Sequence, residues 1–160
     1  MWYSTTTNKY IQDGTKFELD GITYPSQWLS QATMEQKEAI GLQEVIATNS
    51  PKSDQYYWVS TELDGANLTY TSTPKDLDMI KTTQIDQIRS TAYSMLFPTD
   101  WMVVKSIETS VPMSSEWAEW RNSIRVTSDE AIIAIENATD VDGVSEAMSN
   151  VVWPPSPDSD

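Results

Sequence analysis

The chain contains no cysteine and no histidine. Without cysteine there is no disulfide and no thiol nucleophile, and without either residue the common zinc sites have no ligands. The usual general base near neutral pH is missing as well. Bases are scarce: ten Lys and Arg stand against 24 Asp and Glu, for a net charge of −14. Nucleic-acid binding needs clustered cations that displace counterions, so this balance argues against it. It argues equally against an anionic membrane surface. No apolar run approaches the ~18 residues of a membrane-spanning helix. The opening "MWYSTTTNKY" lacks a basic stretch followed by an apolar one, so the expectation is a chain without a secretion signal, made in a cytosol.

What is present divides near Pro74 into an expected β-rich domain over 1–73, a helical domain over 74–152 and a Pro-rich acidic tail over 153–160. The expected fold class is α+β. In the first part, short runs rich in β-branched and aromatic residues are separated by Asp13-Gly14, Asp20-Gly21 and Asp64-Gly65, all hairpin signals. One short helix is expected in "ATMEQKEAIGL", where Thr33 and Gln36 match a capping box and Gly41 marks the stop. The second part carries helical spacing. One helix is expected to open at Thr73 with Pro74 in its first turn, to place Leu77, Ile80, Gln84, Ile88, Thr91 and Met95 close to one face with Ile85 and Ala92 alongside, and to end at Pro98. "SSEWAEWRNSIRV" is a second helix, capped by Ser114 or Ser115. "TSDEAIIAIENAT" is a third, opened by a capping box of Thr127 and Glu130. "TDVDGVSEAMSNVV" adds a last one, weakened by Gly143. Residues 1–74 hold nine acids and four bases, and after Val126 there are eight acids and no base.

Carboxylates are the only candidates for chemistry. Asp76 with Asp78, or Glu116 with Glu119, could be the two acids of a glycosidase, but first-turn positions already suit acids at a helix dipole. Asp140, Asp142 and Gly143 resemble part of a calcium loop that no late bidentate Glu completes, which favours a cap or turn. Lys9, Lys16, Lys37 and Lys52 are scattered, without a phosphate-cradling glycine loop. No catalytic, metal or cofactor site is expected.

Tryptophan is abundant, at seven residues. Trp101, Trp117 and Trp120 fall within "LFPTDWMVVKSIETSVPMSSEWAEWRNSIR", residues 96–125. They suit a thin helical core, or an interface anchored by Trp and Arg, or both on two faces. The order of this region resembles phage tail fibre assembly proteins and related tail assembly chaperones. The resemblance rests on Arg89, Leu96, Thr99-Asp100-Trp101, Pro112, Trp117, Trp120-Arg121, Ile124-Arg125 and Trp153-Pro154-Pro155. The N-terminal "YPSQWL" with the helix after it is similar to a segment of proteins encoded near tail fibres. Two departures stand out. The arginine-rich run before the leucine is reduced to Arg89, and "VTSDEAIIAIENATDVDGVSEAMSNV" separates the Trp-Arg helix from the Trp-Pro.

The resemblance implies a non-catalytic chaperone that protects or caps a trimeric, β-rich tail fibre in the host cytoplasm. Its expected partner-binding residues are Trp101, Trp117, Trp120, Arg121, Ile124 and Trp153, with Asp100 capping a helix or pairing with Arg121 or Arg125. The alternative within the same resemblance is a permanent tail component, such as a baseplate, tail-tip or fibre-attachment subunit. A small hydrolase would need convergent carboxylates, and an acidic mimic of nucleic acid would need acids over most of its surface.

Overall fold

The computed structural model describes residues 1–157. The fold is α+β, with strands up to Pro74 and helices from Leu77 to Ser149. The chain divides into two compact units at Thr73–Pro74, each with its own core.

The first unit contains three small sheets. In one, β1 (Trp2–Ser4) is central, antiparallel to both β2 (Lys9–Ile11) and β5 (Leu42–Glu44). In another, β3 (Phe17–Leu19) and β4 (Ile22–Tyr24) form a hairpin turned by Asp20-Gly21. Both turn residues have positive φ, as such a two-residue turn requires. Asp13-Gly14 is not a hairpin turn: it connects β2 to β3, which lie in different sheets. Its carboxylate instead takes Trp2 Nε1 at 2.9 Å and the Met1 amino group at 2.8 Å. The short helix α1 (Trp28–Gln31) precedes α2 (Met34–Ala39), and the sequence reading anticipated only α2. Thr33 and Gln36 form the expected capping box. Trp2, Ile11, Leu19, Leu29 and Leu42 make the core, edged by Phe17, Tyr24 and Trp28. The buried Lys37 places its ammonium 4.3 Å from the centre of the Trp2 ring, a favourable use of a buried cation.

The third sheet has the order β6 (Ile46–Ala47), β8 (Asn67–Pro74), β7 (Tyr57–Asp64). β7 and β8 are joined at Asp64-Gly65, and β6 runs parallel to β8.

The second unit is built on two long helices, α3 (Leu77–Leu96) and α5 (Ser115–Asn137). Thr73 and Pro74 belong to β8, so α3 does not start there. Its cap is Asp76, whose carboxylate accepts from the Met79 amide at 2.8 Å. α3 buries Ile80, Gln84, Ile88 and Ala92, one face at four-residue spacing. Pro98 does not end the helical path. A 3₁₀ turn over Phe97–Thr99 accepts the proline at its start and leads into α4 (Asp100–Thr109). Ser110, in the left-handed conformation, closes α4.

The second and third expected helices are one. α5 runs through Thr127 without a break, because Trp120, Arg121, Ile124, Ser128, Ala131 and Ile135 form an unbroken buried stripe. A capping pattern cannot start a helix where the preceding turn already satisfies its amides. α6 (Val141–Ser149) follows a tight turn, capped by Asp140 Oδ1 on the Gly143 amide at 2.8 Å. A Cβ on Gly143 would lie 3.3 Å from the Ala138 Cβ, so glycine here permits the close approach. The Pro-rich acidic tail begins at Trp153. Through Pro157 it is ordered without regular structure, with Trp153 against the core and the Pro154 carbonyl accepting from Trp120 Nε1 at 3.2 Å. The rest of the tail, 158–160, lies outside the described residues.

The Met1 amino group and Trp2 Nε1 together hold the Asp13 carboxyl below its ordinary value of 3.8. A carboxyl depressed in the folded state contributes stability above its unfolded pKa and loses it as pH falls through the folded one. Urea unfolding of wild type and Asp13→Asn should therefore differ by a constant amount above about pH 5. The difference should shrink as pH falls below about 4.

Candidate functional site

The candidate surface is built on the corner between α3 and α4. Leu96 ends α3 where the 3₁₀ turn begins, and its carbonyl takes side-chain donors there. Arg121, one of the buried residues of α5, reaches it: Nη1 donates to Leu96 O at 2.9 Å. The same nitrogen donates to Thr99 Oγ1, whose hydroxyl in turn donates to Leu96 O at 2.8 Å. Nη2 donates to Asp100 Oδ1 at 2.7 Å. The expected pairing of Asp100 is thus with Arg121, while Arg125 donates to the Arg121 carbonyl at 3.3 Å. Only 5% of Arg121 is exposed, and its planar fork suits a carbonyl, a hydroxyl and a carboxylate that converge from one side.

The six residues expected to bind a partner do not share a surface. Trp120, Arg121 and Ile124 are buried, with Ile124 fully enclosed. Trp117 and Trp153 are half-buried and pack against that cluster. Trp117 meets Trp120 edge-on, with ring centres 5.4 Å apart. Trp101 alone is openly exposed.

Around Trp101 the structure gathers residues that the sequence reading did not single out. α4 is ten residues long and buries none of them. Trp101, Val104 and Ile107 are 56%, 52% and 75% exposed. Three-residue steps spread them over roughly 120° of helix surface. Tyr93 and Phe97, ring centres 5.5 Å apart, add exposed aromatic surface just before α4, and Val111 adds an aliphatic side chain just after it. Two crevices separate α4 from α5. One, of 240 Å³, is lined by Trp101, Met102, Lys105, Val111, Met113 and Trp117. The other, of 230 Å³, is lined by Val103, Ser106, Met113, Ala118, Arg121 and Arg125. Lys105 is the only base on α4, with its ammonium 5.7 Å from the centre of the Trp101 ring. The signal was present in "DWMVVKSIET", where Trp101, Val104 and Ile107 recur at three-residue steps.

The carboxylates considered for chemistry are occupied or dispersed. Asp76 and Asp140 are helix caps. Glu116 and Glu119 are exposed on the outer side of α5. Among the described residues no three acids cluster as a metal site would need, and no helix is long and apolar enough to cross a membrane. No family model, curated protein or solved structure matches the chain.

Replacing Arg121 by Ala removes one donor each from the Leu96 carbonyl, the Thr99 hydroxyl and Asp100, while the Leu96 carbonyl keeps the bond from Thr99 Oγ1. The expected loss is about 2–4 kcal/mol, below the full cost of breaking a buried pair because Asp100 is half exposed. Arg121→Lys should recover only part of it, since an ammonium lacks the fork. Asp100→Asn should cost under ~1 kcal/mol. Chemical denaturation followed by far-UV circular dichroism ranks the three.

Proposed function

We propose that the chain is a non-catalytic tail fibre assembly chaperone of a phage, which covers apolar surface of the fibre chain until the fibre trimerises. One observation carries the reading: α4 presents Trp101, Val104 and Ile107 outward and buries no residue of its own. A contiguous apolar patch of this kind on an otherwise charged protein marks an interaction site. The resemblance of Thr99-Asp100-Trp101 and Trp120-Arg121 to tail fibre assembly proteins supplies the class of partner. Within it, Arg121 is the residue that sets α4 in place, and Trp101 is the residue that meets the partner. The net charge of −14 keeps such a surface soluble while it waits.

This division of labour separates two sets of variants. Trp120→Ala removes a core side chain and should cost about 3–5 kcal/mol, so it abolishes function through folding. Trp101→Ser with Ile107→Ser should leave the unfolding midpoint within ~1 kcal/mol of wild type. Co-expressed with the fibre protein, the double variant should yield mostly insoluble fibre where wild type yields soluble trimer. Equal soluble yield from both would overturn the reading. Quantifying the chain against the fibre in purified particles then distinguishes a chaperone that leaves from a subunit that stays.

A further inference from the structure

The β6–β8–β7 sheet treats its two edges differently. The outer edge of β8 is closed along its length by residues 46–52. Ile46 N donates to Ala66 O and Thr48 N to Leu68 O, both at 2.9 Å. Past the end of β6 the chain no longer runs as a strand, and a side chain takes over. Asn49 Nδ2 donates to Tyr70 O and Asn49 Oδ1 accepts from Tyr70 N, both at 2.8 Å, so the amide copies a strand's peptide group. Lys52 N then donates to Ser72 Oγ at 3.2 Å. β7, on the other side of β8, pairs with no further strand among the described residues. It is eight residues long, and seven are exposed.

Such an edge is a template for another strand. Short length, Pro and Lys are the usual protections, and "YWVSTELD" has none of them. The sheet is also underbuilt. Its third strand, β6, has two residues, so most of the β7–β8 hairpin is a two-stranded ribbon. Such ribbons gain stability when a third strand is added.

We propose that the outer edge of β7 takes one strand of a partner protein by main-chain pairing, and that this strand alternates basic and apolar residues. Alternation along β7 sets the chemistry. Glu62 and Asp64 fall on one face, and Val59 and Leu63 on the other. Lys or Arg is the favourable cross-strand neighbour of the first pair, and an aliphatic residue of the second. A second copy of this chain is a poor occupant, because each copy brings a net charge of −14. The edge lies in the N-terminal unit and the α4 surface in the C-terminal one, so the two proposals stand or fall separately.

The test uses the full-length chain and two acetylated eight-residue peptides, one alternating Lys and Val and one alternating Glu and Val. Amide hydrogen exchange is followed by mass spectrometry. The basic peptide should slow exchange over Tyr57–Asp64 and leave α4 unchanged, and the acidic peptide should bind about tenfold more weakly. Glu62→Lys, a change of an exposed side chain, should weaken the basic peptide roughly threefold or more. Equal affinity for the two peptides would overturn the charge assignment. Absence of slowed exchange over 57–64 would overturn the docking edge. Protection that rises with protein concentration in the absence of peptide would mean that a second copy takes the edge, and would overturn the proposal too.

Discussion

A buried guanidinium organises the helical unit. Arg121 sits in the middle of the apolar stripe of α5, where a charge is costly to desolvate. It is tolerated there because three oxygens at the α3–α4 corner converge on it. It holds those oxygens in turn, at the point where the chain leaves α3 through a proline-containing 3₁₀ turn. The corner is therefore fixed by directional bonds as well as by the packing of Met95 and Leu96 against the core. That choice leaves consequences along the chain. Because the bonds at its first turn hold α4, its aliphatic side chains are not required for the core. The two crevices under α4 show how little packing holds the rest of the helix. A helix attached by side-chain packing would have turned Trp101, Val104 and Ile107 inward.

The neighbouring tryptophan serves the same stripe differently. Trp120 is buried and keeps its indole N–H satisfied by the Pro154 carbonyl. A buried indole needs a partner, and here the partner is a segment far away in sequence. This gives the Trp-Pro near the C-terminus a structural account. Proline contributes a carbonyl without an amide that would itself need satisfying. Trp153 and Pro154 are thus part of the helical packing rather than an appendage.

Local chemistry was the legible part of the sequence. The Thr33–Gln36 box, the Asp20-Gly21 turn and the four-residue spacing of α3 depend on residues a few positions apart, and each is found in the structure. The misreadings share one cause, a local signal overridden by a longer-range one. Thr127 and Glu130 match a cap, but Ile124, Ser128 and Ala131 continue a stripe that α3 and α6 cover. Asp13-Gly14 matches a hairpin turn, but β2 finds its partner in β1. Pro98 matches a stop, but a 3₁₀ turn absorbs it, and Arg121 binds the Leu96 carbonyl beside that turn. Trp120 and Arg121 read as core, as interface or as both, because Trp and Arg suit either place. Both are buried, and composition alone cannot separate a core pair from a surface one.

The two exposed surfaces differ in the kind of recognition they permit. An apolar helix face is non-directional. It accepts many sequences and discriminates poorly, which suits the proposed covering of an unfinished fibre chain. A strand edge is directional. It fixes register through main-chain bonds and selects through alternate side chains. The acidic balance constrains both in the same sense. It opposes association of the chain with itself, the main hazard of an open edge and an apolar patch, and leaves both able to engage a partner of opposite charge. A chain with neither histidine nor cysteine gives up little by this arrangement, since binding through backbone, indole and aliphatic groups needs no titrating side chain.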